Sequence, residues 1–208
     1  QMRWLVEHHV EVVRVSELVA FLDGEIRLPA RVAVITLDDA HKSARKVALP
    51  ILRELGLPFS LALNTAAIEE HALAAMDWDD VNAVLASGLC ELASHGHVHG
   101  FMARLSDAQD ERELELSRDL IEAHTGVRPS VFVFPFGSHD ARVDRLTQAA
   151  GYAAAFAAWG PPVTERAPRF ALGRFGVTRS LDLAGFAYQF RDGAKGAAAR
   201  GAQASAVR

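Results

Sequence analysis

The stretch "RVAVITLDDAHKSARKVALPILRELGLPFSLALN", residues 31–64, decides the fold class. Its first nine residues are β-branched or apolar and end in two acids, Asp38 and Asp39, which is the pattern of a buried strand running into a loop. The next segment sets Val47, Leu49, Ile51, Leu52 and Leu55 broadly on one side and stops at Gly56, so it reads as a helix that Pro50 bends. "PFSLALN" then reads as a second strand. A strand, a helix and a strand in that order imply a right-handed crossover and two parallel strands.

The rest of the chain repeats the alternation. "VSELVAFLDG" precedes the stretch with helical spacing and a glycine stop. After it come a helical "WDDVNAVLASG", a strand-like "LCELAS", a long helix "DERELELSRDLIEAHTG" behind a capping box of Ser106 and Gln109, a strand-like "SVFVF", a helical "DARVDRLTQAAG" and a strand-like "YAAAFA". This is an α/β chain with a mostly parallel sheet. One catalytic domain is expected over residues 1–190, and the Ala/Gly-rich residues 191–208 read as a flexible tail.

Composition narrows the function classes. With 208 residues, half of them apolar and a net charge of −4, the chain can bury one sizeable core and offers no electrostatic footprint for a polyanion, so nucleic acid is not an expected partner. No run is long and apolar enough to be a transmembrane segment. The lone cysteine, Cys90, lies in an apolar stretch and reads as a buried thiol. The compartment is cytoplasmic if the chain is complete, and exported or cell-envelope if a leader has been removed; oligomeric state is open.

Three clusters follow strand-like runs: Asp38 and Asp39 after "VAVITL", His95, His97 and His99 after "LCELAS", and Pro135, Phe136 and Gly137 after "SVFVF". If the strands are parallel, all three lie at one carboxyl edge, where α/β folds gather their sites. His95 and His99, four apart, point to one side on a helical first turn and can reach one ion; Asp39 supplies a third ligand and Asp38 a general base. Bland readings stand beside these. Adjacent acids cap turns, "PFG" makes a turn in any protein, and a histidine cluster can be surface. His95 with His97 could also be an HxH pair of a different metal amidohydrolase, although those enzymes carry the pair on an early strand. Zinc is the default ion for such a set, with cobalt, nickel and manganese also suited.

Taken together, "ITLDDA", "SHGHVH" and "FVFPFG" resemble the three ordered motifs of the polysaccharide deacetylases of carbohydrate esterase family 4, the NodB-homology family. "ALPILRELGLPFSLALN" is similar to that family's following helix and strand, and the resemblance runs from about Trp4 to Phe190. It implies a distorted (β/α) barrel of about seven parallel strands. It also implies one divalent cation held by Asp39, His95 and His99, with Asp38 as catalytic base and Pro135, Phe136 and Gly137 against the substrate. The implied reaction is removal of N-acetyl groups from an N-acetylated sugar.

The chain departs from the family pattern at several positions. Leu37 and Ala40 replace a phenylalanine and a glycine, Gly96 replaces a hydroxyl residue in the second motif, and Val133 stands where an arginine often orients the base. "FPFG" is closest in pattern to the biofilm-polysaccharide branch, which also tends to lack that arginine. Arg174, on a later segment, is the candidate replacement. No histidine follows His139, so the late histidine acid of the family has no counterpart in this sequence. The alternative reading is therefore a degenerate homologue that binds glycan with little or no turnover.

Overall fold

A computed structural model describes residues 1–190; the tail expected at 191–208 lies outside the described residues. Among the described residues seven strands form two parallel sheets, a pair of β1 (Glu11–Val12) with β2 (Val32–Ala33), and a five-stranded sheet of β3 (Thr36–Leu37), β4 (Phe59–Leu63), β5 (Cys90–Ser94), β6 (Val131–Val133) and β7 (Ala154–Phe156) in sequential order. Helices connect them, and the whole is a distorted half-barrel rather than a closed one.

The run at 31–39, read as one strand, is two. The Ala33 carbonyl accepts from Val13 N (2.9 Å), whereas the Ile35 carbonyl accepts from Ser60 N (2.8 Å) in the other sheet. Carbonyls two residues apart in an unbroken strand point the same way, so the chain must twist between them. It thereby passes from the first sheet to the second. The bend expected at Pro50 takes the form of a change in pitch. Ala44–Ala48 is a π-helical turn, and the α-helix α3 (Leu49–Leu55) follows with Pro50 in its first turn. Proline has no N–H to return to the carbonyl four residues back, so the turn ahead of it is widened.

Side chains alternate across the sheet with period two. Leu61, Leu63 and Leu92 pack outward with Leu52 of α3 and with Val81 and Val84 of α5 (Trp78–Leu85), while Ala62, Ala93, Val131 and Val133 turn inward against Val15 and Leu18 of α2 (Val15–Leu22). Phe132, on the outer face, joins Leu114 of α6 (Asp107–Thr125) and Val143 of α7 (Ala141–Ala149). On β4 and β5 the large residues lie outside and the small ones inside, which lets these strands curve around a narrow interior, whereas β7 turns Phe156 inward and Ala155 outward. The capping box at Ser106 and Gln109 is present, with Ser106 N donating to Gln109 Oε1 at 3.0 Å. Because the strands run parallel, the ends of β3, β5, β6 and β7 share one edge.

Cys90 is buried at the start of β5, and burial pushes its thiol up to about 12. At pH 8 roughly one thiol in ten thousand would be ionised, and the thiolate is the reactive form. The native protein is expected to give no reaction with Ellman's reagent over an hour at pH 8 and one full equivalent in urea; rapid native labelling would contradict the burial.

Candidate active site

The acids leave β3 through an uncommon backbone. Asp39 (φ 68°) and Ala40 (φ 52°) both lie in the left-handed region, at a cost of about 1–2 kcal/mol for each residue with a Cβ. Surrounding contacts hold them there. Ala40 is fully buried in the core, and its carbonyl accepts from Met76 N at 2.8 Å. The reversal aims two adjacent carboxylates at different partners.

Asp39 faces the histidines. His95, at the end of β5 and only 3% exposed, donates its Nδ1 hydrogen to the Val133 carbonyl of β6 at 2.6 Å. A carbonyl can only accept, so that bond fixes the tautomer and leaves Nε2 of the neutral ring with a lone pair. Burial lowers the His95 pKa below the ordinary imidazole value, which favours the neutral, ligating form. His95 Nε2 stands 3.0 Å from His99 Nε2 and 3.5 Å from Asp39 Oδ1, and His99 Nε2 is 3.2 Å from the same oxygen. Hydrogen bonding to His99 holds the Asp39 carboxyl below its usual range, against a smaller opposing effect of burial.

Three such atoms converging so closely need a proton or a cation between them. Two nitrogens and one carboxylate oxygen are a donor set of the kind that binds zinc and its neighbours. Ligand bonds of about 2.0–2.1 Å at tetrahedral angles would put ligand atoms roughly 3.3 Å apart, in line with the separations found. The residues fit a cation.

The expected helical turn is absent. Residues 95–100 form an irregular bend in which Gly96 (φ 76°) and His99 (φ 59°) are left-handed, and this bend brings the two rings together. Glu113 of α6, 5% exposed, meets the bend from below, accepting from His97 N at 2.7 Å and from Val98 N at 2.9 Å. Sequence reading missed it. The available signal was its position in the buried stripe Asp110, Glu113, Leu114, Ser117 and Ile121, where an acid needs a partner.

Asp38 takes no part in the convergence. Arg174 donates to both its oxygens, Nη1 to Oδ1 at 2.8 Å and Nη2 to Oδ2 at 2.9 Å, and is itself fixed by Thr36 Oγ1 and the Ala157 carbonyl. Gly160 and Gly173 let the segments carrying this arrangement run backbone against backbone, since a Cβ on Gly160 would lie 2.6 Å from Gly173 Cα. Trp159, 66% exposed, rests its six-membered ring on Gly176.

Pro135, Phe136 and Gly137 form a tight, kinked turn beside His99, with Phe136 in the left-handed region at φ 57°. The Phe136 ring centroid is 4.5 Å from that of His99 and stacks on Phe101 at 4.1 Å, while Arg104 covers the Phe101 ring. The remaining histidines of the sheet edge are otherwise engaged. His97 Nδ1 lies 2.9 Å from Thr65 Oγ1, His139 Nδ1 lies 2.8 Å from Asp144, and His41 Nε2 is 3.8 Å from Asp39 Oδ2. An HxH pair of His95 with His97 is not formed.

A family model for polysaccharide deacetylase matches residues 25–155. The Streptococcus pyogenes deacetylase PplD, solved in complex with acetate, superposes with a TM-score of 0.85 at 14% identity, covering 92% of this chain and 84% of that one. IcaB from Ammonifex degensii gives 0.74 at 21% identity over 92% and 90% of the two chains. The BpsB deacetylase domain from Bordetella bronchiseptica gives 0.75 at 21% over 82% and 80%. No curated protein sequence matches this chain. At such identities the structural likeness establishes the fold, and the family model, which spans well over half of the chain, establishes the lineage: this chain belongs to the polysaccharide deacetylase family.

Proposed function

We propose that the chain is a hydrolase that removes N-acetyl groups from an N-acetylated sugar with the help of one divalent cation, zinc by default and cobalt, nickel or manganese as alternatives. Deacetylation of carbohydrate is the chemistry of its family. One observation carries the finer reading: the Asp39, His95 and His99 convergence stands next to a carboxylate, Asp38, that has its own cationic partner.

Asp39, His95 and His99 would hold the cation, which when bound supplies Lewis acidity and lowers the pKa of water from ~15.7 toward roughly 7. Asp38 takes the proton of the attacking water. Arg174 grips both carboxylate oxygens, so the base has one orientation, and a lysine could not reproduce the fork. The Phe136 N–H has no acceptor among the described residues and is the backbone donor for the oxygen on which negative charge grows. In this reading Asp38 also returns the proton it has taken to the departing amine. Pro135, Phe136 and Gly137 wall the sugar on the His99 side. Trp159, exposed and two residues beyond the Ala157 carbonyl that fixes Arg174, is the aromatic surface on which the apolar C–H face of a pyranose would stack.

The second reading, a glycan-binding relative with little turnover, draws on the lack of any histidine after His139. Acetate release from N-acetylglucosamine oligomers decides between them. The wild type should release acetate, lose that activity on chelation and regain it with zinc; Asp38→Asn should be slower by ~10²–10⁴-fold while still binding the ion. Equal release by both proteins removes Asp38 from the mechanism. Arg174→Ala should lower kcat by ~10–100-fold, with Arg174→Lys recovering only part of it. Trp159→Ala should raise KM for a tetramer by up to about tenfold with kcat little changed, measured by initial rates; an unaltered KM means the sugar does not stack there.

A further inference from the structure

We infer that Glu113 is the positioning residue for the histidine pair, its carboxylate serving as the anion around which residues 96–98 fold. The inference rests on the metal-site reading above and adds a group from α6 to it. Two successive N–H groups, those of His97 and Val98, point at one carboxylate, with Val98 N 2.9 Å from Oε2 and 3.2 Å from Oε1. Consecutive amides converging beside a left-handed residue make an anion-binding concavity, and here the left-handed residue is Gly96 at φ 76°. Glu113 fills it from within the protein.

Gly96 confirms the fit from the other side. A Cβ on Gly96 would sit 2.9 Å from Glu113 Oε2, and Pro135 and Phe132 close the remaining space at 3.7 and 3.9 Å. Residue 96 therefore has no side chain with which to steady the bend, and the buried acid across from it performs that task through the backbone. The two ligating residues lie immediately outside the clamped amides, His95 on one side and His99 on the other. Holding His97 and Val98 fixes the path between them, which sets the 3.0 Å approach of the two Nε2 atoms. Glu113 itself touches neither ring, so it acts through the loop.

Glu113→Gln keeps the shape and removes the charge, while Leu114→Ala, in the neighbouring buried position on α6, weakens packing without touching the loop. Both variants will lose stability to urea. Only Glu113→Gln should weaken cobalt(II) binding, by ~10–100-fold, and alter the visible cobalt spectrum. In metal-free protein, only Glu113→Gln should broaden or split the His95 and His99 ring resonances and expose the His97 and Val98 amides to exchange. Normal cobalt affinity, spectrum and ring resonances in Glu113→Gln would overturn the inference. So would the same changes in Leu114→Ala. If the wild type binds no divalent ion yet the ring resonances respond only to Glu113→Gln, the clamp stands and the metal reading falls.

Discussion

Three side-chain atoms, one each from Asp39, His95 and His99, held within 3.5 Å of one another form the arrangement around which the rest of the site is built. Left to themselves, two imidazoles and a carboxylate would turn apart to be solvated separately. They stay together because each is fixed from behind. The Val133 carbonyl holds His95, the Phe136 ring, itself stacked on Phe101, backs His99, and a left-handed turn carries Asp39. Convergence of this kind suits the cation proposed for the site.

Backbone strain gathers at the same edge. Of the six non-glycine residues with positive φ among those described, Asp39, Ala40, His99 and Phe136 belong to the site. Such residues persist only where surrounding structure over-determines them. Here the compensation is visible in the burial of Ala40, the bonds from β4 and β6, and the aromatic contacts beside His99. Stability in the layers beneath, where Leu61, Leu63 and Phe132 are fully buried, supports a rim that is locally unfavourable.

Charge is distributed with equal economy. Asp38 and Asp39 are adjacent in sequence, yet one meets a guanidinium and the other meets imidazoles. That separation of partners suits the different roles proposed for the two carboxylates, one as base and one as ligand. Arg174 reaches Asp38 from a segment beyond β7, across a backbone approach that only glycine permits at positions 160 and 173. In the proposed reading, Arg174 thus stands in space for the arginine missing in sequence at Val133.

Much was legible from residues alone, because periodicity is local: the alternation of strands and helices gave the parallel sheet, and parallel strands in turn put the Asp38–Asp39, His95–His99 and Pro135–Gly137 clusters at one edge. What sequence could not decide was how short segments bend. The run 31–39 divides between two sheets because its carbonyls turn toward different partners, and His95 meets His99 through a bend rather than a helical turn because Glu113, far along the chain, binds the intervening amides. Hydrophobic pattern reports which face of an element is buried. Hydrogen bonds between distant residues leave no periodic trace, so the partners of His95, Asp38 and the 96–98 backbone appear only when the chain is folded.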